Sequence, residues 1–486
     1  MIRKENDLGV LRKIAFLFIL SLGILVGCDT VPEPVPEPDP EDKQAPASVQ
    51  AVNEFIEMVM NDVYYWYATV PDIDIRYEFD SKAYFEKLKN EEDRFSWVTD
   101  DIKKQDESQQ EGKETSYGWS LAFGKFSDTG TIFALVEYVY PETPAAKAGF
   151  KRGDMIFEMN GADILENNYT DLLFSSSMSC TFGQYVSGGI ENVQTVNMTA
   201  LELILDPVML TQIIEHEGRK IGYLFYTQFI GKFNTSLDNA FQYFQENQID
   251  DLVLDVRYNP GGGINSAQYL ASSLAPLNVV NDKSVLVRFK WNDKYQDYWQ
   301  QNNRQDQLVV NFVDTTVFKL GLTNLYVITG QGTASAPELV ISGLKPYMSV
   351  KTVGETTSGK FQASITMRPE FYYTNPTDYK DFENWAVQPI VLEYTNSTSE
   401  SFSEGIVADI PVEDDLWSPF QLGDKREPML KAAIEYIAGG EVMAATKSAV
   451  KVDRPHTIFD RGFSKFDDIK GNLLIDSFDG ADLVKK

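Results

Sequence analysis

The sequence predicts a multidomain α/β protein, and three observations support this prediction. The chain has 486 residues, more than one hydrophobic core usually organises, so we expect roughly two to four domains. Its hydrophobic content of 43% and aromatic content of 13% favour packed domains over disorder. Beyond Lys220, strand-like apolar runs alternate with helical patterns, which is typical of an α/β core.

The charge and composition exclude several classes of partner. A formal net charge of −29 disfavours nucleic acid, because binding phosphates requires basic patches. The two cysteines and two histidines form no cluster with the spacing of metal ligands. The glycine-rich turn at 259–263 has neither the GxGxxG nor the GxxxxGK(S/T) spacing of a phosphate-binding loop. We therefore expect no metal, no organic cofactor and no nucleic acid.

Residues 1–27 have the pattern of a bacterial targeting segment. Basic residues at positions 3, 4, 12 and 13 precede an apolar run over 14–27 that is shorter than an ordinary transmembrane helix. The run ends in Leu25-Val26-Gly27-Cys28, which resembles a bacterial lipobox and implies cleavage before Cys28 and lipidation of its thiol. Residues 28–47 are rich in proline and acidic side chains and are predicted to form an extended tether.

The stretch 48–112 is predicted to form a small N-terminal helical domain. Apolar residues recur at helical spacing from Ser48 to Val63, and a second helical pattern covers Ser81–Asn90. Between them lies the aromatic cluster Tyr64-Tyr65-Trp66-Tyr67, which we interpret as the core of that domain. Residues 99–115 are polar and charged and are interpreted as a linker.

One stretch in the second half of the chain carries the strongest functional pattern. A predicted strand, Leu325–Ile328, leads into a turn of small residues that contains Ser335, and a helical pattern begins at Pro337. A serine at a helix N-terminus is suited to acyl transfer, since the helix dipole and an oxyanion hole favour negative charge there. A second strand, Ser349–Val353, precedes a glycine-rich loop that ends in Lys360.

Composition favours Lys360 as the base that would act on Ser335. The two histidines, His216 and His456, lie near no glycine-rich or turn motif, which argues against a Ser-His-Asp triad. A lysine can take this role when burial keeps its amine neutral. A serine and a lysine at this spacing are more often a loop serine and a surface lysine, so the pair alone leaves both interpretations open.

The segment Thr-Ala-Ser-Ala-Pro-Glu (333–338), followed by Val-Gly-Glu-Thr-Thr-Ser-Gly-Lys (353–360), resembles the signature of the C-terminal-processing (tail-specific) serine proteases. The resemblance implies that Ser335 is the nucleophile and Lys360 the general base, in an α/β protease core over 208–440 built of crotonase-like ββα units. Residues 255–262 resemble the family motif D-x-R-x-N-x-G-G. This motif implies an oxyanion hole formed by the N–H groups of Gly262, or Gly261, and of Ala336.

Two positions depart from the family pattern. Many members carry an aspartate eleven residues after the nucleophile, where this chain has Pro346. Many also carry a glutamine four residues after the lysine, where this chain has Ser364. Gln362 would share a strand face with Ser364 and is the candidate for a catalytic residue that orients the amine of Lys360.

Residues 117–205 resemble a PDZ domain, which is rich in β-structure. Gly118-Trp119-Ser120-Leu121 resembles the Gly-Leu-Gly-Phe-type loop that receives a peptide C-terminus, and 144–156 resembles another segment typical of that family. In such domains successive N–H groups bind the carboxylate while the peptide adds to the sheet as a strand. A glycine-rich turn beside a helix is the plainer interpretation of either segment alone. Residues 441–486 resemble nothing we recognise and form a C-terminal tail of unknown role.

Together these patterns predict a serine endopeptidase of the bacterial cell envelope that cleaves unstructured or C-terminal segments of proteins by a Ser-Lys dyad. Its partners would be polypeptides, captured through exposed C-termini, and the membrane, reached through a lipid anchor at Cys28. The location would be the outer membrane, on its periplasmic or its surface side. The alternative is a catalytically inactive, PDZ-bearing lipoprotein that binds peptides, and a glycan-binding lipoprotein ranks third.

Overall fold

The structure is a computed structural model that describes residues 43–127, 129–165, 167–186, 189–439, 456–460, 473–475, 478 and 483. The chain divides into two units, Met1–Gln44 and Ala45–Lys486, and the elements below belong to the second. The predicted signal peptide, the tether up to residue 42 and Cys28 lie outside the described residues. Within the described ranges, every helix is too short or too polar to cross a membrane.

The N-terminal helices share a hydrophobic core with the rest of the unit. The N-terminal elements are α1 (Ala47–Asp62), α2 (Ser81–Leu88), β1 (Trp97–Thr99) and α3 (Ile102–Glu111). Phe55, Tyr64 and Phe85 are fully buried in the same cluster as Phe241 and Leu339, which come from later in the chain. The aromatic residues that were expected to fill a separate helical core therefore belong to a larger one.

The stretch 99–115, interpreted from the sequence as a linker, contains the helix α3. Asp101 caps its first turn by accepting a hydrogen bond from the Lys104 N–H, and Gly112 ends it in a left-handed conformation with φ of 62°. Most of its side chains are polar, so the apolar periodicity that reveals other helices is missing. The linker prediction is wrong for this reason.

Residues 113–204 form a β-rich module. Its elements are β2 (Lys113–Ser116), β3 (Trp119–Phe126), β4 (Ile132–Val139), α4 (Pro144–Lys147), β5 (Met155–Met159), β6 (Ala162–Asp163), α5 (Tyr169–Leu173), β7 (Ser177–Val186), β8 (Gly189–Thr199) and β9 (Leu201–Ile204). One antiparallel sheet contains β3, β4, β5, β7 and β8 in that order, with its own hydrophobic cluster. Cys180 is buried in this cluster, where burial raises the pKa of its thiol to about 12. It is an ordinary core residue.

The α/β core follows the module and supplies the remaining elements up to Ile437. The first half contains β10 (Val208–His216), β11 (Arg219–Tyr226), α6 (Asn234–Asn247), β12 (Asp251–Asp255), β13 (Gly262–Gly263), α7 (Ile264–Leu274), α8 (Leu277–Asn281), β14 (Val285–Trp291), α9 (Asp293–Gln301) and β15 (Val309–Asn311). The second half contains β16 (Asn324–Thr329), α10 (Ala336–Leu344), β17 (Ser349–Gly354), β18 (Gln362–Ser364), α11 (Pro369–Tyr372), β19 (Ala386–Gln388), β20 (Ile390–Asn396), β21 (Ile410–Pro411) and α12 (Pro428–Ile437).

The central sheet has the strand order β10-β11-β12-β16-β17-β21 and is parallel from β11 onward. Both of its faces are covered, because side chains of β12 alternate between two clusters. Leu252 and Leu254 pack in the cluster that contains helices α7 and α10, whereas Val253 packs in the cluster that contains α12. Continuous apolar runs are what such a doubly covered parallel strand requires.

A second sheet of the core has the order β13-β23-β18-β20-β14-β15, in which β23 (Leu473–Leu474) comes from the C-terminal tail. Another tail strand, β22 (His456–Asp460), joins the sheet of the β-rich module. The sequence predicted one strand over Ala386–Tyr394, but the structure has two, β19 and β20. Pro389 separates them, because proline has no N–H to donate to a neighbouring strand.

Candidate active site

The candidate site lies where three neighbouring parallel strands end. β12, β16 and β17 run side by side, and Asp255 of β12 lies opposite Ile328 of β16. The loop that contains Gly262 follows β12, the loop that ends in Ser335 follows β16, and the loop that ends in Lys360 follows β17. Because the carboxyl ends of parallel strands meet at one edge of a sheet, these distant stretches of sequence come together there.

Ser335 occupies a strained position at the start of α10. Its backbone has φ of 72° and ψ of −107°, a conformation that residues other than glycine rarely adopt. The residue is fully buried, and among the described residues its Oγ has no hydrogen-bond partner. Buried hydroxyls are usually bonded. A strained serine with an uncommitted Oγ is the arrangement expected of a nucleophile.

Lys360 is fully buried, as a neutral base requires. Burial lowers the pKa of its amine from 10.5 to about 7, while the charges of Asp93 and Glu338 act in the opposite direction. Its Nζ lies 4.7 Å from the centre of the Phe95 ring. This cation–π contact favours the charged amine once a proton arrives. Near pH 7 a substantial fraction of the amine is therefore neutral and able to accept a proton.

Glu338 joins the backbones of Ser335 and Lys360. Its Oε2 accepts the N–H of Ser335 at 2.7 Å and that of Lys360 at 2.9 Å. Its Oε1 accepts the Thr357 hydroxyl at 2.5 Å and the Gly359 N–H at 2.7 Å. Burial raises the pKa of this carboxyl, and the four hydrogen bonds oppose that rise. The sequence analysis missed Glu338, although Ser-x-x-Glu is the capping-box spacing and could have indicated it.

Tyr394 completes this arrangement from the carbonyl side. Its buried hydroxyl is 3.2 Å from the carbonyl oxygen of Ser335 and 3.3 Å from that of Lys360, and it donates to both. Burial raises the pKa of the phenol far above its usual value, so the group remains a neutral donor. The sequence analysis also missed Tyr394, because no local pattern distinguishes it from other strand residues.

The glycines after Asn259 form the candidate oxyanion loop. The Gly261 N–H donates to the Asn259 Oδ1 at 2.9 Å. The Gly263 N–H donates to the Phe229 carbonyl at 2.9 Å. These two bonds involve the N–H groups of Gly261 and Gly263, and Gly262 between them pairs with Leu473 of β23.

The oxyanion loop and the nucleophile loop are hydrogen-bonded to each other. The Ala334 N–H donates to the Asn259 carbonyl at 3.1 Å, and the Thr333 hydroxyl donates to the Val256 carbonyl at 2.8 Å. Ala336, the second predicted oxyanion residue, is the first residue of α10, where backbone N–H groups have no partner within the helix. The two predicted oxyanion donors thus lie on loops that are fixed relative to one another.

Gln362 begins the strand that follows Lys360. It is half-buried at the start of β18, where it lies opposite Glu393 of β20. A different amide, that of Gln388, is fully buried and donates to the Ser364 hydroxyl at 2.9 Å. The role of Gln362 as the residue that orients the amine stays a prediction.

Comparison with known proteins places the site in a family. Residues 220–412 match the model of peptidase family S41, and residues 51–97 match the model of the peptidase S41 N-terminal domain. This chain carries the domains of peptidase family S41. The S41 match covers the stretch that contains Gly262, Ser335 and Lys360.

The proteins to which this chain is similar include carboxyl-terminal-processing proteases. The one from Synechocystis is 23% identical over 312 residues, which are 63% of this chain and 66% of the relative. The carboxy-terminal processing protease CtpB of Bacillus subtilis is 24% identical over 225 residues, 46% of this chain and 42% of the relative. The chain thus spans less than two thirds of the length of these relatives. A crystal structure of a candidate S41 protease from Bacteroides fragilis has a TM-score of 0.64 and 28% identity, and covers 79% of this chain and 97% of that one.

The D-x-R-x-N motif of the S41 domain also anchors a buried ion network. The guanidinium of Arg257 lies 2.8 Å from Asp255, 2.8 Å from Glu427 and 3.1 Å from Asp414. Arg152 of the β-rich module joins the network through Asp414 at 2.6 Å. Burial acts to raise the pKa of Glu427, but Arg257 holds it below its usual value. The sequence analysis did not identify the partners of Arg257, since they lie far from it in the chain.

The predicted peptide-binding loop lies in the β-rich module, outside the S41 active-site loops. Its four residues are buried. The Gly118 N–H donates to a neighbouring serine hydroxyl at 3.1 Å, and the Ser120 hydroxyl donates to a glutamate at 2.8 Å. Trp119 and Leu121 pack in the hydrophobic cluster of the module. Only Gly118 precedes β3: the other three residues are the first residues of that strand, and β22 pairs with its later residues.

A cleft of 380 Å³ lies beside the oxyanion loop. Its lining includes Phe229, Gly261–Gly263 and Phe371, together with Leu474 and Ile475 from the C-terminal tail. Ser335 and Lys360 are not among its lining residues. Within the described ranges, no group of three or more His, Cys, Asp or Glu side chains is arranged to hold a metal.

Proposed function

We propose that this S41 chain is a serine endopeptidase in which Ser335 is the nucleophile and Lys360 the general base. The observation that carries the proposal is their joint positioning: Glu338 accepts both N–H groups and Tyr394 donates to both carbonyls. These contacts hold a buried, uncommitted hydroxyl and a buried amine at the same edge of the sheet. The relatives named as carboxyl-terminal-processing proteases support the reaction class.

In the first half of the reaction, the Ser335 Oγ attacks the carbonyl carbon of a peptide bond while its proton passes to Nζ of Lys360. The new ammonium is stabilised by the charges of Asp93 and Glu338 and by the ring of Phe95. Lys360 then donates the proton to the leaving amine as the C–N bond breaks, which leaves an acyl ester on Ser335. In the second half, Lys360 takes a proton from water as the water oxygen attacks the ester carbonyl carbon. The bond between that carbon and the Ser335 Oγ then breaks, Lys360 returns the proton to the Oγ, and the carboxylic acid product leaves.

The negative charge that develops on the carbonyl oxygen would be stabilised by the N–H groups of Gly262 and Ala336. Ala336 begins the nine-residue helix α10, whose dipole adds to this effect. Donors that are already fixed before the reaction stabilise the charge without reorganisation. The hydrogen bonds between the two loops supply that rigidity.

For substrate capture, we assign a PDZ role to the β-rich module, residues 117–205. An antiparallel sheet in which Gly118–Leu121 lie at the start of β3 suits a peptide that adds as a further strand. The substrates would be unstructured or C-terminal segments of proteins, in keeping with the names of the relatives. A lipid anchor at Cys28 would hold the enzyme in the bacterial cell envelope.

Cleavage of a disordered protein by residues 29–486 tests this function. We expect the parent to cleave, and Ser335→Ala and Lys360→Met to lose at least about 10³-fold in kcat. Methionine keeps the apolar stem of lysine and removes the amine, so the site stays filled. Lys82→Met, at a position whose side chain is 53% exposed, is the matched control and should cleave like the parent. Cleavage by Ser335→Ala would contradict the proposal, and a parent that binds peptides without cleaving them would favour the binding-lipoprotein alternative.

A further inference from the structure

The C-terminal tail adds a strand between two loops of the candidate active site. β23 lies between β13 and β18 and runs parallel to both. The Ile475 N–H donates to the Ser364 carbonyl of β18 at 3.0 Å. β13 contains the candidate oxyanion donor Gly262, and β18 begins two residues after Lys360. The tail therefore occupies the space between the oxyanion loop and the strand that follows the base.

This space has the width and the chemistry of a site for an extended peptide. With β23 removed, β13 and β18 would be separated by roughly 10 Å, twice the usual distance between paired strands. Leu474 and Ile475 are only 8% and 5% exposed, and they line the cleft together with Phe229 and Phe371. A segment held here is bound by backbone hydrogen bonds and by burial of apolar side chains, the mode in which peptides add to sheets.

The tail also occupies the edge of the β-rich module. β22 pairs antiparallel with β3, with Thr457 opposite Lys125 and Ile458 opposite Gly124. Ile458 packs against the hydrophobic cluster that contains Phe133. β22 is the edge strand of this sheet, and without it β3 would expose its own unpaired backbone groups. This is the strand edge to which the proposed PDZ role assigns the substrate.

We propose that the tail strands β22 and β23 are tethered peptide ligands of the two strand sites and keep polypeptide substrates out of them. That the tail limits cleavage rests on the proposed protease function. That it occupies both sites rests on the strand pairings of β22 and β23. A tethered ligand acts at an effective concentration on the order of millimolar, so a free peptide must compete with it. Both sites would then be open only in molecules whose tail has detached. The ligand that fits them is an extended peptide segment with consecutive apolar residues.

A variant that undocks the tail tests the proposal in the full chain. Leu474→Asp/Ile475→Asp places two carboxylates in the apolar cleft, and Val317→Asp, at a position that is 68% exposed, is the control for an added carboxylate. Because the tail competes with substrate, we expect the double variant to lower KM for a disordered protein at least about fivefold with little change in kcat. Ile475→Pro, which removes the N–H donated to Ser364, should act in the same direction and serves if the double variant fails to fold.

A binding measurement decides the inference even if no form of the chain cleaves. In a Ser335→Ala background, fluorescence anisotropy measures the Kd of a labelled synthetic peptide of residues 470–480. We expect at least about fivefold tighter binding to the undocked variants than to the Ser335→Ala parent or to the Val317→Asp control. Equal binding by folded forms would overturn the inference, because the tail would then be a structural strand and not a competitor. If the protease proposal alone is wrong, no form of the chain will cleave, but the undocked variants will still bind the peptide more tightly.

Discussion

At the scale of single residues, the proposed chemistry depends on the buried amine of Lys360. Burial brings its pKa to about 7, and the nearby carboxylates of Asp93 and Glu338 keep it from falling further. A group whose pKa differs between the folded and unfolded states makes the stability of the fold depend on pH. The same burial that makes Lys360 a base therefore costs folding free energy wherever the amine would be charged in the unfolded chain.

This cost predicts how Lys360→Met changes stability with pH. The unfolded amine titrates near 10.5 and the folded amine near 7, so the unfolded state binds the extra proton between these values. The cost is complete below pH 7 and disappears as the pH rises to 10.5. Lys360→Met should therefore raise the free energy of unfolding by up to a few kcal/mol at pH 6 and by much less at pH 10. Thermal melts at both pH values measure this, with Lys82→Met as the control, and an equal gain at both would contradict it.

How far the sequence predicted these residues depends on how local their signals are. Ser335 and Lys360 belong to short motifs with fixed neighbours, so both could be identified from the sequence. Asp93 and Phe95 precede β1 and approach Lys360 only through the fold, which no local pattern reveals. Gln362 lies two residues before the position where the family has a glutamine, so its role rests on closeness in sequence and stays a prediction.

At the scale of elements, the turn between β12 and α7 fixes the oxyanion loop through backbone geometry. Gly262 has φ of 137°, and a Cβ at this position would lie 2.1 Å from the Phe229 carbonyl oxygen. That distance is far inside van der Waals contact, so a side chain there would displace the loop. Glycine is required at position 262 because the backbone of Phe229 lies so close, and not because the loop needs to be flexible.

Gly262→Ala should therefore abolish most of the activity without unfolding the chain. We expect a loss of about 10²–10³-fold in kcat, the usual effect of removing an oxyanion donor. Gly231→Ala is the matched control, since Gly231 lines the same cleft and a Cβ there would meet the Ser266 Oγ at an ordinary 3.5 Å. Steady-state kinetics and far-ultraviolet circular dichroism measure both forms. Near-parent activity in Gly262→Ala would contradict the assignment of this loop.

The elements were predicted well where the hydrophobic period was clear. The helices α1 and α10 and the strands β12, β16 and β17 follow from apolar spacing and lie within a few residues of their predicted bounds. The polar helix α3 has no such spacing and was missed. The tail strands β22 and β23 were missed because short strands that complete other sheets depend on partners far away in the chain.

At the scale of the whole molecule, a buried ion pair connects the β-rich module to the α/β core. Arg152 and Asp414 are each about 1% exposed and lie 2.6 Å apart. Asp414 also accepts the Tyr258 hydroxyl at 2.5 Å and lies 3.1 Å from Arg257. Two buried guanidinium groups therefore share this carboxylate, and Asp414 is the nearer of the two acidic groups paired with Arg152. Removing its charge would leave Arg152 with Glu427, at 4.0 Å, as its ion-pair partner.

Asp414→Asn should for this reason destabilise the protein by about 3 kcal/mol or more. Asp74→Asn is the control, because Asp74 forms an ion pair with Arg76 on the surface and should change stability by less than about 1 kcal/mol. Denaturant titrations of both variants give the free energies of unfolding. Equal shifts would contradict the view that the buried network joins module and core.

The sequence predicted the order of the parts but not how they share surfaces. The helical segment, the β-rich module and the α/β core occur in the predicted order along the chain. The common core of the N-terminal helices with Phe241 and Leu339, and the ion network of Arg152, depend on contacts between distant segments. Such contacts have no signature in one sequence.

The most direct test of the Ser335–Lys360 assignment is the rate at which a fluorophosphonate labels Ser335 as a function of pH, followed by mass spectrometry of the labelled peptide. Because the amine must be neutral to activate the hydroxyl, we predict labelling at Ser335 with a rate that rises through a midpoint near pH 7. Lys360→Met should lose this labelling, while Lys82→Met should retain it. Labelling elsewhere, or an unchanged rate and pH profile in Lys360→Met, would contradict the assignment.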